Sequence, residues 1–545
     1  MRNRVLFIVG MGLLASLLLA FTYQGFEWVV GVFALLLALT LHDAFQKRHS
    51  LLANFPLVGR LRWIIEELRP FVQQYLLETE TSGKPISRMF RSIVYQRAKN
   101  SLDTVPFGTQ LDTYESGYEW IGHSLSALNV EELDDDPRVK IGGPECTQPY
   151  NASLLNISAM SFGSLSKHAV LALNKGAKLG GFYQNTGEGG LTPYHLENGG
   201  DIVWQIGTGY FGCRNKDGTF NPLTFQEKAR LPAVKMIEIK LSQGAKPGHG
   251  GILPAHKNTP EIAAIRDVPV ATDVISPPTH SAFSTPVGLL DFVKQLRELS
   301  GGKPVGFKLA IGRKSEFIAV CKAMKQTGIM PDFITVDGGE GGTGAAPLEY
   351  SNSIGFPLRD ALAFVDDCLV GFGIRDKIKI IASGKIITAF HMVKNLSLGA
   401  DVCNSARGMM LALGCVQSLS CHTNTCPTGV ATQDPKLFKG LDVKDKSVRV
   451  ANFHHKTVKA MVDILSSTGH RSASELTRTH IFRRVNQETV KRYDEIFPLI
   501  QPGSFYSDDV PSHYALHIKE ASAASFKPVN ILAQVENSTQ SVNSN

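Results

Sequence analysis

Three cysteines, Cys415, Cys421 and Cys426, stand in a C-x5-C-x4-C pattern within one stretch, GCVQSLSCHTNTCPTGVATQD. Three thiolates this close can converge on one soft metal centre, and Pro427 and Gly429 keep a helix from carrying them apart. Zinc would favour paired C-x2-4-C spacings and a fourth ligand. Three buried structural cysteines are the other alternative, because free cysteine is among the most buried residue types. A second group is cationic. Lys240, Gln243 and Lys246 fall at the end of an apolar run in IKLSQGAK, and Lys308 lies inside VGFKLAIG. A lysine within a buried strand is costly unless paired, and cations so placed suit the carboxylate of an anionic ligand.

A third group is rich in glycine. A phosphate needs converging backbone N–H groups, and hence small residues where strands open into helices. Three stretches qualify: DGGEGGTG (Asp337, Gly338, Gly339, Gly341, Gly342, Thr343, Gly344), SGK (Ser383, Gly384) and NSARG (Ser405, Arg407). GTGYFG, from Gly207 to Gly212, formally matches the dinucleotide pattern G-x-G-x-x-G, but the turn-forming CRNKDGTFNP follows where a helix would have to start. It is rejected as a dinucleotide site.

These groups need a scaffold, and the central region supplies one. The runs LLNISAM, FYQNTG, VKMIEIKLS, PVGFKLAIG, FITVDGG, IKIIASG and ADVCNSARG each end in glycine, serine or polar residues, and helical segments separate them. Strand, glycine-rich loop and helix in repetition predict parallel α/β structure, either a doubly wound sheet or a (β/α)8 barrel. The polar strand ends are where a barrel places its active site.

The chain resembles the FMN-binding domain of the glutamate synthase family. NISAMSFGSLS, QNTGEGG, IKLSQGAKPGHGGILP, SPPTH, DFITVDGGEGGTGAAP and CHTNTCPTGVATQD carry the likeness in that order, over residues 106–435. The resemblance selects the (β/α)8 TIM barrel of the FMN-linked oxidoreductase type and implies FMN and a [3Fe–4S] cluster, the latter held by Cys415, Cys421 and Cys426. It places Ala159, Met160, Ser161, Gln205, Lys240, Gln243 and Lys308 with the glycine-rich strand ends around FMN. It makes Glu188 the active-site glutamate and puts Lys246 and Arg266 where the family binds 2-oxoglutarate. An ordinary helix-surface arginine is the alternative for Arg266. Three departures stand out. His249 replaces a glutamate, Ile252 replaces a glutamine that would hydrogen-bond the oxo acid, and Asn404 to Arg407 replace Gly-Phe-Gly-Thr. A methyl-bearing side chain cannot make the bond that glutamine makes.

Two apolar segments, Val5 to Thr22 and Phe26 to Leu41, open the sequence. Arg2 and Arg4 precede them, Lys47 and Arg48 follow, and no Lys or Arg lies between. The pattern predicts a transmembrane hairpin with both ends in the cytoplasm, and so a catalytic domain on the cytoplasmic side of the cell (inner) membrane. A cleaved signal peptide is the competing reading, without a convincing cleavage site. The expected organisation is residues 1–42 as hairpin, 43–105 as a juxtamembrane helical connector broken or kinked at Pro70, and 106–435 as barrel with its iron–sulfur loop. Residues 436–520 are expected to form a helical extension and 521–545 a disordered tail.

With 545 residues, 43% hydrophobic and 19% charged, the chain has material for a large core. The net charge of +7 comes without a basic run in the body of the chain, which argues against nucleic-acid binding. Eight cysteines without secreted-type pairing point to a reducing compartment. The reaction implied is reductive amination of a 2-oxo acid, such as 2-oxoglutarate, to an amino acid such as glutamate, by an oxidoreductase of the class acting on CH–NH2 donors. No glutaminase or NAD(P)H module is expected. Ammonia or an amine, a separate glutaminase and an external electron-donor protein (a ferredoxin, reductase or membrane redox partner) would complete it. The alternatives are amine transfer of the N-methylglutamate synthase type, a membrane-coupled flavin/iron–sulfur electron-transfer subunit, and a relative of the inosine-monophosphate dehydrogenase barrel. Three cysteines in one loop speak against the last.

Overall fold

The structure, a computed structural model, describes residues 1–507 and 510–530 and divides into two compact units, Met1–Arg88 and the chain from Met89 onward. In the first unit, α1 (Arg2–Thr22) and α2 (Glu27–Phe45) pack on each other. A Cβ on Gly12 would lie 2.2 Å from the Phe33 ring, so glycine is what lets the two helices approach. Both are long and apolar enough to cross a bilayer, by length and composition. A helix α3 (Arg60–Val72) follows and runs through Pro70 rather than ending there. The predicted connector does not reach residue 105 as one element, because the helix Arg88–Ala98 already belongs to the second unit from Met89. There Arg97 donates to the Thr457 hydroxyl at 3.3 Å, and Asn452 donates to the Ala98 carbonyl.

The second unit is built on a closed barrel of eight parallel strands in chain order. These are β1 (Leu155–Ile157), β2 (Gln184–Asn185), β3 (Ile202–Ile206), β4 (Val234–Lys240), β5 (Val305–Leu309), β6 (Phe333–Asp337), β7 (Lys379–Ser383) and β8 (Val402–Ser405). The last pairs with the first, Asn404 against Asn156. The (β/α)8 class is thus borne out. One strand, β3, is not among the runs singled out from the sequence, although all five of its residues are buried.

Side chains two residues apart on a strand share a face, so the barrel interior is stacked in layers. The floor is apolar: Tyr183, Val203, Met236, Phe333, Ile381 and Val402 form one buried cluster. The antiparallel pair Arg138–Ile141 and Tyr150–Ser153 closes it from outside with Ile141 and Ala152. Two residues further along come Asn185, Gln205, Glu238, Thr335, Ser383 and Asn404, all polar and all buried. Tyr183 links the layers by donating its hydroxyl to Asn404 Oδ1 at 2.7 Å.

Outside the barrel, α4 (Lys167–Gly180) packs against the long helix α7 (Val443–Thr468), closely enough that a Cβ on Gly176 would lie 2.7 Å from Val450. The segment 436–520 is not helical throughout: Ile481–Arg484 and Val490–Arg492 join Glu119–Ile121 in a three-stranded sheet. Of the expected tail, Ala521 accepts a hydrogen bond from Lys322, and Val529 donates to Glu520. Residues 531–545 lie outside the described residues.

His454 of α7 sits in this packing, stacked on Phe182 at 4.0 Å with Nε2 2.8 Å from the Ser153 hydroxyl. Burial pulls its pKa down to about 3, and burial does the same to His195 and His391. The folded state therefore refuses protons that the unfolded chain accepts between pH 6.5 and 3, so stability rises with pH across that window and falls on acidification. Each histidine contributes a slope of up to about 1.4 kcal/mol per pH unit. His454→Gln, which keeps a partner for Ser153 but cannot titrate, is expected to flatten the pH dependence of Tm below 6.5. An unchanged slope would remove His454 from this account.

Candidate functional site

The polar layer is organised around Glu238, which is 1% exposed. Its Oε1 accepts from Asn185 Nδ2 at 2.8 Å and Gln205 Nε2 at 2.7 Å, and its Oε2 accepts from Thr335 Oγ1 at 2.6 Å. Lys308 stands in the same interior, 3.2 Å from Asp337 Oδ2. Burial works against its charge, but Asp337 and then Glu238 outweigh that and raise its pKa. Asp337 also accepts from the Gly244 amide at 2.9 Å. Sequence reasoning found Lys308 and Gln205 and missed Glu238, Asn185 and Thr335. The missed signal was the one that exposed Lys308, a charge inside an apolar run, VKMIEIK.

Above this layer, at the C-terminal strand ends, Glu188 and Lys240 form an ion pair with Oε1 2.6 Å from Nζ. Burial would raise the Glu188 pKa, but Lys240, Lys246 and Arg266 together hold it below the ordinary carboxylate value. Lys246, 3% exposed, has its own pKa lowered by burial. Arg266, the last residue of α5 (Pro260–Arg266), is 5% exposed and so no surface arginine. Its Nη2 donates to the Phe162 carbonyl at 2.9 Å, its guanidinium lies 5.0 Å from the centre of the Phe211 ring, and its Nε is buried with no hydrogen-bond partner. Two glycines make room for it, since a Cβ on Gly189 or Gly163 would approach Nη2 to 3.0 or 3.1 Å.

The loop carrying the departures lies over Glu188: a Cβ on Gly251 would sit 2.5 Å from its Oε1. Ile252 follows at once, half-buried, in a two-residue strand paired with Val274–Ile275. His249 turns its Nδ1 to the Gly250 carbonyl at 2.9 Å and meets Tyr350 edge-on. Gln243 is half-buried and takes the Lys246 amide on its carbonyl at 3.3 Å. Beside the site a cavity of about 500 Å3 is lined by Thr208, Phe211, Arg214, Ile275 and His280 among others. His280, also missed, bridges Tyr210 Oη at 3.0 Å and the Lys240 carbonyl at 2.9 Å. No helix starts at Gly207–Gly212. The next begins at Pro222, in line with rejecting that motif.

The glycine-rich strand ends come together next to these loops, and the Gly244 amide donates to Asp337. After β1, Ala159, Met160 and Ser161 lie against the β2 loop, so closely that a Cβ on Gly187 would be 2.6 Å from the Ser161 amide. Ser158 and Ser383 hydroxyls are 3.2 Å apart, and Ser405 Oγ donates to the Ile386 carbonyl. Arg407, at the start of α6 (Arg407–Ala412), donates to the Glu340 carbonyl at 2.6 Å and lies along Gly342. The amides of Gly338, Gly339 and Gly341 are already bonded to the carbonyls of Ser383, Phe356 and Gly338. Those glycines shape the loop. Thr343 bonds its own turn through Ala345, a Cβ on Gly344 would meet nothing nearer than the Ser164 hydroxyl at 4.0 Å, and one on Gly384 would touch the Gly338 amide and Leu358 at 3.4 Å.

The three cysteines share one loop next to these elements. Cys415 and Cys421 are half-buried and Cys426 is buried. Burial first, and then the neighbouring cysteines, raise the pKa of Cys415 and of Cys421. For Cys426 burial is outweighed by the Thr428 hydroxyl and by the amides of Ala431, Thr428 and Val430, which lower it. Gln417, Leu419 and Asn424 all have left-handed backbone, at φ 55°, 59° and 65°, a conformation costing on the order of 1 kcal/mol or more each. Among the described residues no three His, Cys, Asp or Glu side chains are grouped as a metal site. Lys257, which sequence reasoning also missed, ties the loop down: its Nζ donates to the carbonyls of Ser164, Cys421 and Ala431 at 3.1–3.3 Å.

The conserved region in glutamate synthase matches residues 113–471, spanning the barrel, the cysteine loop and α7. This chain belongs to the glutamate synthase family. Its relatives within the glutamate synthases include the glutamate synthase large subunit-like protein YerD of Bacillus subtilis, 36% identical over 86% of this chain and 97% of that one. The archaeal-type glutamate synthase [NADPH] of Thermotoga maritima is 32% identical over 78% of this chain and 80% of its own length. Among solved structures, the flavin-binding domain of baker's yeast flavocytochrome b2 aligns with a TM-score of 0.41 at 12% identity, over 81% of this chain and 89% of that one.

Proposed function

We propose that this chain is a membrane-anchored, cytoplasm-facing glutamate synthase-type oxidoreductase that reductively aminates a 2-oxo acid, with FMN at the strand ends and a [3Fe–4S] cluster in the cysteine loop. The observation that carries the reading is the Glu188–Lys240–Lys246–Arg266 cluster with the orphaned Arg266 Nε. A buried donor without a partner costs about 1–3 kcal/mol, which an anionic ligand would recover. For FMN, the donor set fits: small residues Ser158, Ser383, Gly384 and Ser405, the first turn of α6 with Arg407, and Lys308 within the barrel. For the cluster, three cysteine sulfurs carried on one loop are the appropriate soft donors. When bound, FMN would supply the reducing equivalents for an imino acid, and the cluster would pass single electrons from an external donor protein.

The protein's own residues have separate tasks. Arg266 and Lys246 hold carboxylate, and Phe211 and the 249–253 loop keep water away. Condensation of the oxo acid with ammonia or an amine expels water, and the departing oxygen needs a proton. Lys246, whose pKa burial lowers, is the group suited to give it, while the ionised Glu188 balances the cations and orients Lys240. A second reading, an electron-transfer subunit without amino-acid chemistry, is favoured by Ile252 alone.

Anaerobically purified full-length protein is expected to hold about one FMN and about three irons per chain, and its reduced flavin should be reoxidised by a 2-oxo acid with ammonia or methylamine. Ile252→Gln should tighten 2-oxoglutarate binding by about one to two decades, the worth of one hydrogen bond. If no oxo acid reoxidises the flavin in either protein, the electron-transfer reading takes its place. Stoichiometric zinc without iron would remove the cluster.

A further inference from the structure

The first unit carries an apolar surface that its own residues leave uncovered. On α3, Leu61, Ile64, Ile65, Leu68, Phe71 and Val72 follow the spacing i, i+3, i+4, i+7, i+10, i+11, which puts them on one face of the helix. Their exposure runs from 40% at Val72 to 63% at Ile65. The opposite face is charged, and Glu66 lies 3.8 Å from Arg62 and 3.9 Å from Arg69. A helix of this kind is not stable with such a face in water, because most of its stability must come from burying that face.

What covers it follows from where the helix is fastened. Asp43 lies in the last turn of α2, with its side chain fully buried. It accepts from Arg60 Nε at 2.8 Å and Nη2 at 2.6 Å, and from the Leu57 amide at 3.1 Å. Arg60 is the first residue of α3, so α3 starts at the level where the second apolar span ends. Lys47 and Arg48 stand at that level too, and Trp63 packs edge-on against His49 at 5.4 Å. A span ends at the lipid headgroups, and aromatic and basic residues belong there. The apolar arc covers roughly 120° of the helix, broader than the narrow seam through which two helices of a coiled coil join.

We propose that α3 lies in the plane of the bilayer surface, with its apolar face among the acyl chains next to the headgroups of the leaflet that Lys47 and Arg48 face. The occupant of the face is lipid. The inference rests on the reading of α1 and α2 as a membrane anchor and adds a second, in-plane contact.

The test uses the full-length protein in native membranes, with a photoreactive diazirine amino acid placed singly at Ile65, at Leu68, at Glu67 and, as a control within the second span, at Leu35. Irradiation is expected to give lipid adducts at Ile65, Leu68 and Leu35 and none at Glu67. A cross-linked dimer from Ile65 or Leu68 would assign the face to a second copy, and a cross-link within the chain would assign it to the protein itself. Either result overturns the proposal, as does a lipid adduct at Leu35 with none at Ile65 and Leu68. A chain that alkaline carbonate strips from the membrane, with no adduct at Leu35, brings down the anchor reading and the proposal with it.

Discussion

Replacing Arg266 with alanine is expected to weaken 2-oxo acid binding by about two to three decades while leaving bound FMN unchanged. The guanidinium makes one bond to the Phe162 carbonyl, rests on Phe211 and keeps Nε in reserve. Losing one partner of a buried charge-assisted contact costs about 2–5 kcal/mol, and each 1.4 kcal/mol is a factor of ten. Arg266→Lys should recover only a small part of this. A single ammonium cannot span the carbonyl, the ring and the ligand at once, whereas the planar fork can. Spectral titration of the flavin with 2-oxoglutarate reads both variants. Wild-type affinity in Arg266→Ala would mean that the ligand carboxylate lies elsewhere.

The second large effect concerns stability. Glu238→Leu is expected to cost about 3–5 kcal/mol, because it strands buried donors and removes a balancing charge from Lys308. Glu238→Gln should cost much less. Its oxygen can take the place of Oε1, which receives the two N–H donors of Asn185 and Gln205, and its nitrogen that of Oε2. There the Thr335 hydroxyl can rotate and accept. Denaturant unfolding of the two variants measures the difference. Equal stability of Glu238→Leu and wild type would show that the polar layer is not held together by this carboxylate.

The fold was legible wherever a short apolar run ended in glycine, serine or polar residues ahead of a helical segment, and seven of the eight strands announced themselves that way. The exception, β3, runs directly into GTGYFG, where the glycine spacing draws attention from the strand that delivers it. Lys240 and Lys308 were legible because a lysine is conspicuous in an apolar run. Glu238 carried the same signal, a charge among the apolar residues of VKMIEIK, but Lys235 and Lys240 made the run look half-exposed, and local pattern cannot tell water from the inside of a barrel with a polar layer. Arg266 shows the same limit. Its sequence neighbours, PEIAAIRD, read as a helix surface, and the approach of Phe211, Gly163 and Gly189 from other loops buries it. Pro70 was read as a break or a kink, and helix α3 carries on to Val72, so it is no break.

The floor of the barrel has a consequence for traffic. Ile141 and Ala152, each 0% exposed, seal the N-terminal end against the ring of Tyr183, Val203 and Phe333, so the tube is blind. Whatever reaches Glu188 must enter at the rim where the strands end, and whatever is made there must leave across the same rim. Arrival and departure therefore share one opening, and a molecule held beside Arg266 must clear it before another can take its place.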